Sequence, residues 1–317
     1  MVIGIDLGGM SAKAAVLEGG KLYGKSRVVT DAKDSPEATA VILVKLCIQT
    51  LQKAGKSLDD VEAIGIGAPG VIDGSTGTVI TWSNFGWKDV PLAELVSKFA
   101  NKPVFVTNDA NAAALGEAKY GAGQAYTDSV LITIGTGVGG GIIMGGKLFE
   151  GFRGAGAELG HMVIRQDGEL CSCGRRGCYE CYASARALMN LTRQEMERNP
   201  HTKLWKKAKT VEDVDGRTVF EALKLNDDGA KRVLDEFITG LGEGVVNIVN
   251  LLRPQAVLIG GGVSAEGETL LKPLREYVLP RIYVQDRYAP LAIIAASLGN
   301  DAGLFGAAHY ALDHFKK

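Results

Sequence analysis

Residues 158–180, ELGHMVIRQDGELCSCGRRGCYE, gather three thiols, an imidazole and two carboxylates into one loop-rich segment. Cys171, Cys173 and Cys178 form C-x-C-x4-C, and Gly174 and Gly177 let the backbone turn tightly enough for three sulfurs to converge. His161 lies ten residues upstream of the first thiol and completes a Cys3His set, a usual closed donor set for structural zinc. The alternative is three reduced core cysteines, against which stand the polar Arg175 and Arg176 between the thiols. A disulfide is weaker still, because nothing in the chain reads as secreted and Cys171 and Cys173 are too close in sequence for an easy bridge. A metal that fixes this loop would also fix Glu158, just before His161, and Glu180, just after Cys178. Two acceptor-only carboxylates aimed into one space suit a polyhydroxylated ligand, whose hydroxyls donate. Two solvated surface glutamates fit the segment equally well.

The rest of the chain must position these groups. At 317 residues it is long enough for two domains with substantial cores, and 46% hydrophobic with 22% charged residues is ordinary for a globular protein. A formal charge of -1 without runs of either sign argues against nucleic acid or an acidic membrane surface as partner. The opening MVIGIDLGG reads as a strand rather than a signal peptide, and Lys45 interrupts the apolar VILVKLCI, so no stretch reaches membrane-spanning length. The cytoplasm is the expected address.

Taken in order, residues 2–7 read as a strand carrying Asp6, followed by Gly8-Gly9 and a second strand at 12–17. Such a turn exposes amides that can hold a phosphate, and Asp6 can reach magnesium through water; a plain hairpin is the simpler alternative. Ser35-Pro36 caps a helix whose apolar spacing runs to Gly55. A buried strand at 61–67 runs into Ala68-Pro69-Gly70, a ligand-favoured place at a strand's C-terminal end. Trp82, Asn84 and Trp87 sit in the following loop, with Trp87 as an anchor and Asn84 open. Asn108-Asp109 joins a strand at 103–107 to a helix of small residues, where Asp109 is either a catalytic carboxylate or the helix cap. The opening device then recurs: a strand at 129–135, Thr136-Gly137, and a returning strand at 142–144. A long helix near 229–252, a strand at 256–259 ending in Gly260-Gly261-Gly262, a last strand at 291–296 and a final helix follow. Two such units predict a duplicated α/β fold, with the first domain at 1–109 plus the C-terminal 301–317 and the second at 110–300, carrying the zinc loop 158–180.

With these pieces the chain resembles the ROK family of sugar kinases, most closely its bacterial glucokinases. The likeness rests on DLGGMSAK at 6–13, GAPG at 67–70, NDANAAALGE at 108–117, ITIGTGVGGGI at 132–142, GAELGH at 156–161, CSCGRRGCYE at 171–180 and GGGV at 260–263. The resemblance implies two ribonuclease H-like domains of the actin and hexokinase type flanking a cleft. It implies ATP-dependent transfer of the γ-phosphate to a hexose 6-hydroxyl, most similar to glucokinase, with Asp109 as general base. Asn84, Asn108, Asp109, Glu158, His161 and Glu180 would hold the sugar. Asp6, Gly8, Gly9 and Lys13 would address phosphates and Mg2+, Thr136 and Gly137 the phosphates from the other domain, and Gly260 and Gly261 the nucleoside. His161 would share its ring between sugar and Zn2+, with Cys171, Cys173 and Cys178 as the other metal ligands. A homodimer or homotetramer is the family's expectation. Met10 departs from the pattern, which usually has Thr there. Kinases of N-acetylmannosamine, N-acetylglucosamine, allose, fructose or a β-glucoside are the competing readings, as is a sugar sensor without catalysis; a repressor of this family would carry a helix-turn-helix ahead of the first strand.

Overall fold

The computed structural model describes residues 1–285 and 287–316, so the last residue of the expected stretch 301–317 lies outside the description. In chain order it opens with strands β1 (Val2–Leu7), β2 (Ser11–Glu18) and β3 (Lys21–Val29), then helix α1 (Pro36–Ala54) and strand β4 (Ala63–Ala68). Strands β5 (Val71–Asp73), β6 (Thr78–Trp82) and β7 (Trp87–Val90) form a small separate sheet, followed by α2 (Leu92–Ala100), β8 (Val104–Asn108) and α3 (Asp109–Tyr120). The main sheet has the order β3-β2-β1-β4-β8; β1, β2 and β3 are antiparallel, and β4 and β8 join in parallel. Its strands are apolar on both faces where they are central: every residue of β4 is buried.

Helix α1 follows its sequence signals. Ser35 Oγ accepts from Ala38 N at 3.2 Å, proline fills the first turn, and Gly55 closes the end in the left-handed conformation. Leu43, Val44, Cys47 and Leu51 face the core, each large apolar side chain stabilising the fold by about 1.5–3 kcal/mol.

A second sheet repeats the plan. Strands β9 (Ser129–Ile134), β10 (Val138–Met144) and β11 (Lys147–Phe149) lead to helices α4 (Glu180–Ala183), α5 (Ala185–Arg198), α6 (Thr218–Leu223) and α7 (Asp228–Leu252). Strand β12 (Ala256–Gly260), helix α8 (Glu268–Val278), strand β13 (Ala292–Ala295) and helix α9 (Ala302–Phe315) complete the chain. The sheet order is β11-β10-β9-β12-β13, the same permutation as in the first sheet, and this duplication is the ribonuclease H-like architecture. No helix among the described residues is long and apolar enough to cross a membrane.

The chain divides into two compact units, Met1–Leu131 with Gly141–Ala157 and Ser297–Lys317, and Ile132–Gly140 with Glu158–Ala296. The first unit therefore takes in α3, where the sequence reading began the second domain at residue 110. Small residues explain this. A Cβ on Gly116 of α3 would fall on Ala302 O, and one on Gly306 of α9 on Ala112 O, so the two helices pack backbone to backbone. Gly4 and Gly65 likewise leave room for α9 across β1 and β4.

Candidate active site

In the second unit the side chains of His161, Cys171, Cys173 and Cys178 converge, with their four ligand atoms within 4.8 Å of one another. His161 Nδ1 lies 3.7 Å from Cys171 Sγ, and Cys173 Sγ lies 3.7 Å from Cys178 Sγ. A tetrahedral ion with the usual zinc bond lengths demands S···S near ~3.8 Å and S···N near ~3.6 Å, so the donor set fits zinc in both chemistry and spacing. Local structure explains the convergence. Gly174 (φ 86°) and Gly177 (φ 82°) take left-handed conformations closed to most residues, and Cys171 N donates to Arg175 O at 2.8 Å. Burial pushes the Cys178 thiol up to about 12, whereas the Arg175 amide beside exposed Cys173 lowers that thiol. Metal binding here would thus release protons.

The far end of the loop is bolted to α7. Tyr179 is fully buried, its hydroxyl donates to Leu241 O at 2.8 Å, and Gly244 leaves space for its ring. Glu180 follows directly and is 8% exposed. Its Oε1 accepts from Ser172 Oγ at 3.1 Å and from Cys171 Sγ at 3.0 Å. Glu158 is exposed, and its carbonyl accepts from His161 N at 3.1 Å. The glycine turn between β9 and β10 packs on this loop: Gly140 meets the Leu159 side chain, Gly160 lies against Val138 O, and Gly137 faces the Glu180 carboxylate. Thr136 is exposed at the tip of that turn. Gly261 has φ 85° and lies against the Ile134 backbone, so the glycine there serves the close approach of β9, while Gly262 faces open space.

In the first unit the Gly8-Gly9 turn joins β1 to β2, with Gly8 N donating to Ser11 O at 3.0 Å. Asp6 and Lys13 are cross-strand partners at 3.5 Å; burial raises the Asp6 carboxyl above its ordinary range, and Lys13 opposes this. Asn84 leans on the turn, its Nδ2 being 4.0 Å from where a Gly9 Cβ would stand. Trp82, stacked on Phe85 at 3.8 Å, and Trp87, edge-on to both, are all buried, so both tryptophans anchor this loop. Met10 is 83% exposed. Thr30, which nothing in the sequence singled out, is 5% exposed and clamps the turn: its hydroxyl donates to Gly8 O at 3.0 Å and its amide to Met10 O at 3.2 Å.

The two roles weighed for Asp109 separate here. The helix cap is Asn108, whose Oδ1 accepts from Ala110 N at 2.8 Å and Asn111 N at 3.2 Å, while its Nδ2 donates to Gly70 O at 3.0 Å. Asp109 is the first residue of α3 and also accepts from Ala110 N, at 2.9 Å. Asn108 therefore ties the GAPG loop to the start of α3 and orients the residue beside it. Its long-range bond to Gly70 has no signature in the sequence.

The ROK family model matches residues 2–314. A glucokinase of Halalkalibacterium halodurans is 36% identical over 310 residues, covering 96% of this chain and 92% of that one. A xylose repressor of Bacillus subtilis is 34% identical over 284 residues, covering 89% and 69%. Among solved structures, a ROK family glucokinase from Streptomyces griseus in complex with glucose and AMPPNP superposes with a TM-score of 0.81 at 37% identity, covering 98% of this chain and 99% of that one.

Proposed function

The chain belongs to the ROK family, and from that premise we propose that it is an ATP-dependent glucokinase, transferring the γ-phosphate of ATP to the 6-hydroxyl of glucose. The observation that carries the reading is the Asn108-Asp109 junction, where the asparagine supplies the cap and the aspartate follows the C-terminal end of β8, the edge strand that joins β4 in parallel. Asp109 accepts the proton of the attacking hydroxyl. Aspartate is a weak base toward an alcohol, but in a loose transition state the proton leaves late, so orientation by Asn108 and Gly70 matters more than basicity. Asn84, Asn108, Glu158, His161 and Glu180 hold the sugar hydroxyls alongside Asp109. Gly8, Gly9, Lys13, Thr136 and Gly137 address the phosphates, with Gly260 and Gly261 beside the nucleoside. Asp6, whose charge is disfavoured by burial, gains from a cation beyond Lys13; Mg2+ held there supplies charge neutralisation for the phosphates. His161, Cys171, Cys173 and Cys178 hold Zn2+, which supplies no chemistry and fixes the loop that carries Glu158 and Glu180. A cytoplasmic homodimer or homotetramer completes the proposal.

A coupled ATP-turnover assay over glucose, N-acetylmannosamine, N-acetylglucosamine, allose, fructose and a β-glucoside tests it. Glucose is expected to give the highest kcat/KM. Another hexose in first place replaces the substrate, and no turnover with any of them removes the kinase reading.

A further inference from the structure

We propose that Gly137 is a positioning residue for the sugar: its missing side chain makes the room in which the Glu180 carboxylate sits. This deepens the kinase reading, which treats Glu180 as a sugar-holding group and Gly137 as part of a phosphate turn.

The carboxylate is held from several sides. Ser172 Oγ donates to Oε1, Cys171 Sγ lies 3.0 Å from that oxygen, and the residue is 8% exposed. Oε2 points toward the turn, where a Cβ on Gly137 would stand 2.5 Å away, well inside van der Waals contact. Gly137 does not have a positive φ, so its backbone conformation is open to alanine. Its carbonyl accepts from Gly135 N at 3.0 Å, which holds the turn without help from a side chain. Glycine at this position therefore answers a need for space, and the space belongs to the far end of one flexible side chain. A methyl group there leaves the fold intact and moves the carboxylate. That movement is not neutral, because shifting Oε1 weakens its bond from Ser172 and carries both oxygens away from the hydroxyls they serve. The thiol side of this cradle belongs to the Cys3His cluster, so the carboxylate cannot retreat there without meeting it.

The variants Gly137→Ala, Glu180→Asp and the pair test this, with glucose binding followed by calorimetry, AMPPNP affinity measured without sugar, and thermal unfolding of each protein. Gly137→Ala is expected to raise the glucose Kd by about ten- to a hundredfold, the size of one charge-assisted hydrogen bond, and to change AMPPNP affinity far less. The shorter aspartate withdraws from the methyl group, so Glu180→Asp should cost less in the Gly137→Ala background than in the parent, in unfolding temperature as well as in Kd. A larger loss for AMPPNP than for glucose, a glucose Kd within about twofold of the parent, or strictly additive effects would each overturn the proposal. A parent that turns over no hexose removes the kinase reading instead. The unfolding cycle needs no sugar, and it still decides whether residue 137 and Glu180 compete for one space.

Discussion

Asn108 and Asp109 stand side by side, and substituting them one at a time separates a structural debt from a chemical one. Asn108→Ala removes two cap bonds and the amide that Gly70 O accepts. Loss of a cap costs about 0.5–2 kcal/mol and a further hydrogen bond about 0.5–1.5, so the chain should lose about 1–3.5 kcal/mol of stability. Asp109→Asn keeps an oxygen to accept from Ala110 N and removes a charge from the first turn of α3, worth about 0.3–1 kcal/mol. Its effect falls on the reaction, because the amide cannot take a proton. General base catalysis is worth about 10² to 10⁴, so kcat should fall by that factor, equivalent to about 2.7–5.5 kcal/mol of barrier. Chemical denaturation and coupled ATP turnover of the same two preparations read both quantities, with glucose affinity of the Asp109 variant staying near that of the parent. If Asp109→Asn keeps kcat within about tenfold, or destabilises the chain as much as Asn108→Ala does, the carboxylate is an ordinary helix-start residue and the mechanism is wrong.

The remaining predictions concern the metal, the turn and the titration of Asp6. Protein prepared without chelator should carry about one zinc per chain by elemental analysis, and Cys173→Ser should lose both zinc and glucose affinity; metal-free protein with full affinity would remove the Cys3His assignment. Met10→Thr places a hydroxyl in a position 83% exposed, so the fold should not change. Any gain, at most about tenfold, should appear in nucleotide kinetics; a change confined to the sugar KM would show that the family's phosphate contact does not extend to this residue. Burial raises the Asp6 carboxyl, so the folded state holds its proton more tightly than the unfolded state does. That group favours folding below its unfolded pKa and the contribution is lost as pH rises through the raised value, so Asp6→Asn should flatten the fall in stability just above 3.8 and leave stability at pH 7 no lower than the parent's, while turnover drops. An unchanged stability profile would place Asp6 in water.

What the sequence made legible was local. Ser35, Pro36 and Gly55 bound α1 because caps and prolines act within one turn, and the cysteine spacing was readable because the loop is closed by its own glycines. Two strand, glycine turn, strand devices were visible, and the identical order of the two sheets follows from them. Strand β3 was not visible. It is an edge strand whose outward side chains include Lys21, Lys25 and Arg27, so its alternation is mostly polar, and Gly24 marks the point where it passes under Thr50 of α1. In the sequence the sheet of β5, β6 and β7 looks like a loop with aromatic anchors, because its strands are short and only the pairing between them reveals them.

The glycines show where such reading stops. In a motif a glycine answers one of three needs, a left-handed backbone, the close approach of another chain, or room for a side chain, and the letter is the same for each. Gly177 answers the first by its φ of 82°, and Gly116 the second, since Ala302 O occupies the place of its Cβ. Gly137 has neither a positive φ nor a neighbouring backbone in the way; what stands opposite is Glu180 Oε2. A residue 43 positions away in sequence thus decides why that glycine is there, as residue 180 less 137 gives. The same holds for Thr30 at the first turn and for Gly70 beneath Asn108: each contact joins separate strands or loops, and only the folded sheet brings its partners within hydrogen-bonding reach. The residues proposed to act on the substrates are therefore spelled locally, in Asp109 and the loop from Glu158 to Glu180, while their aim is set by contacts that the spelling does not contain.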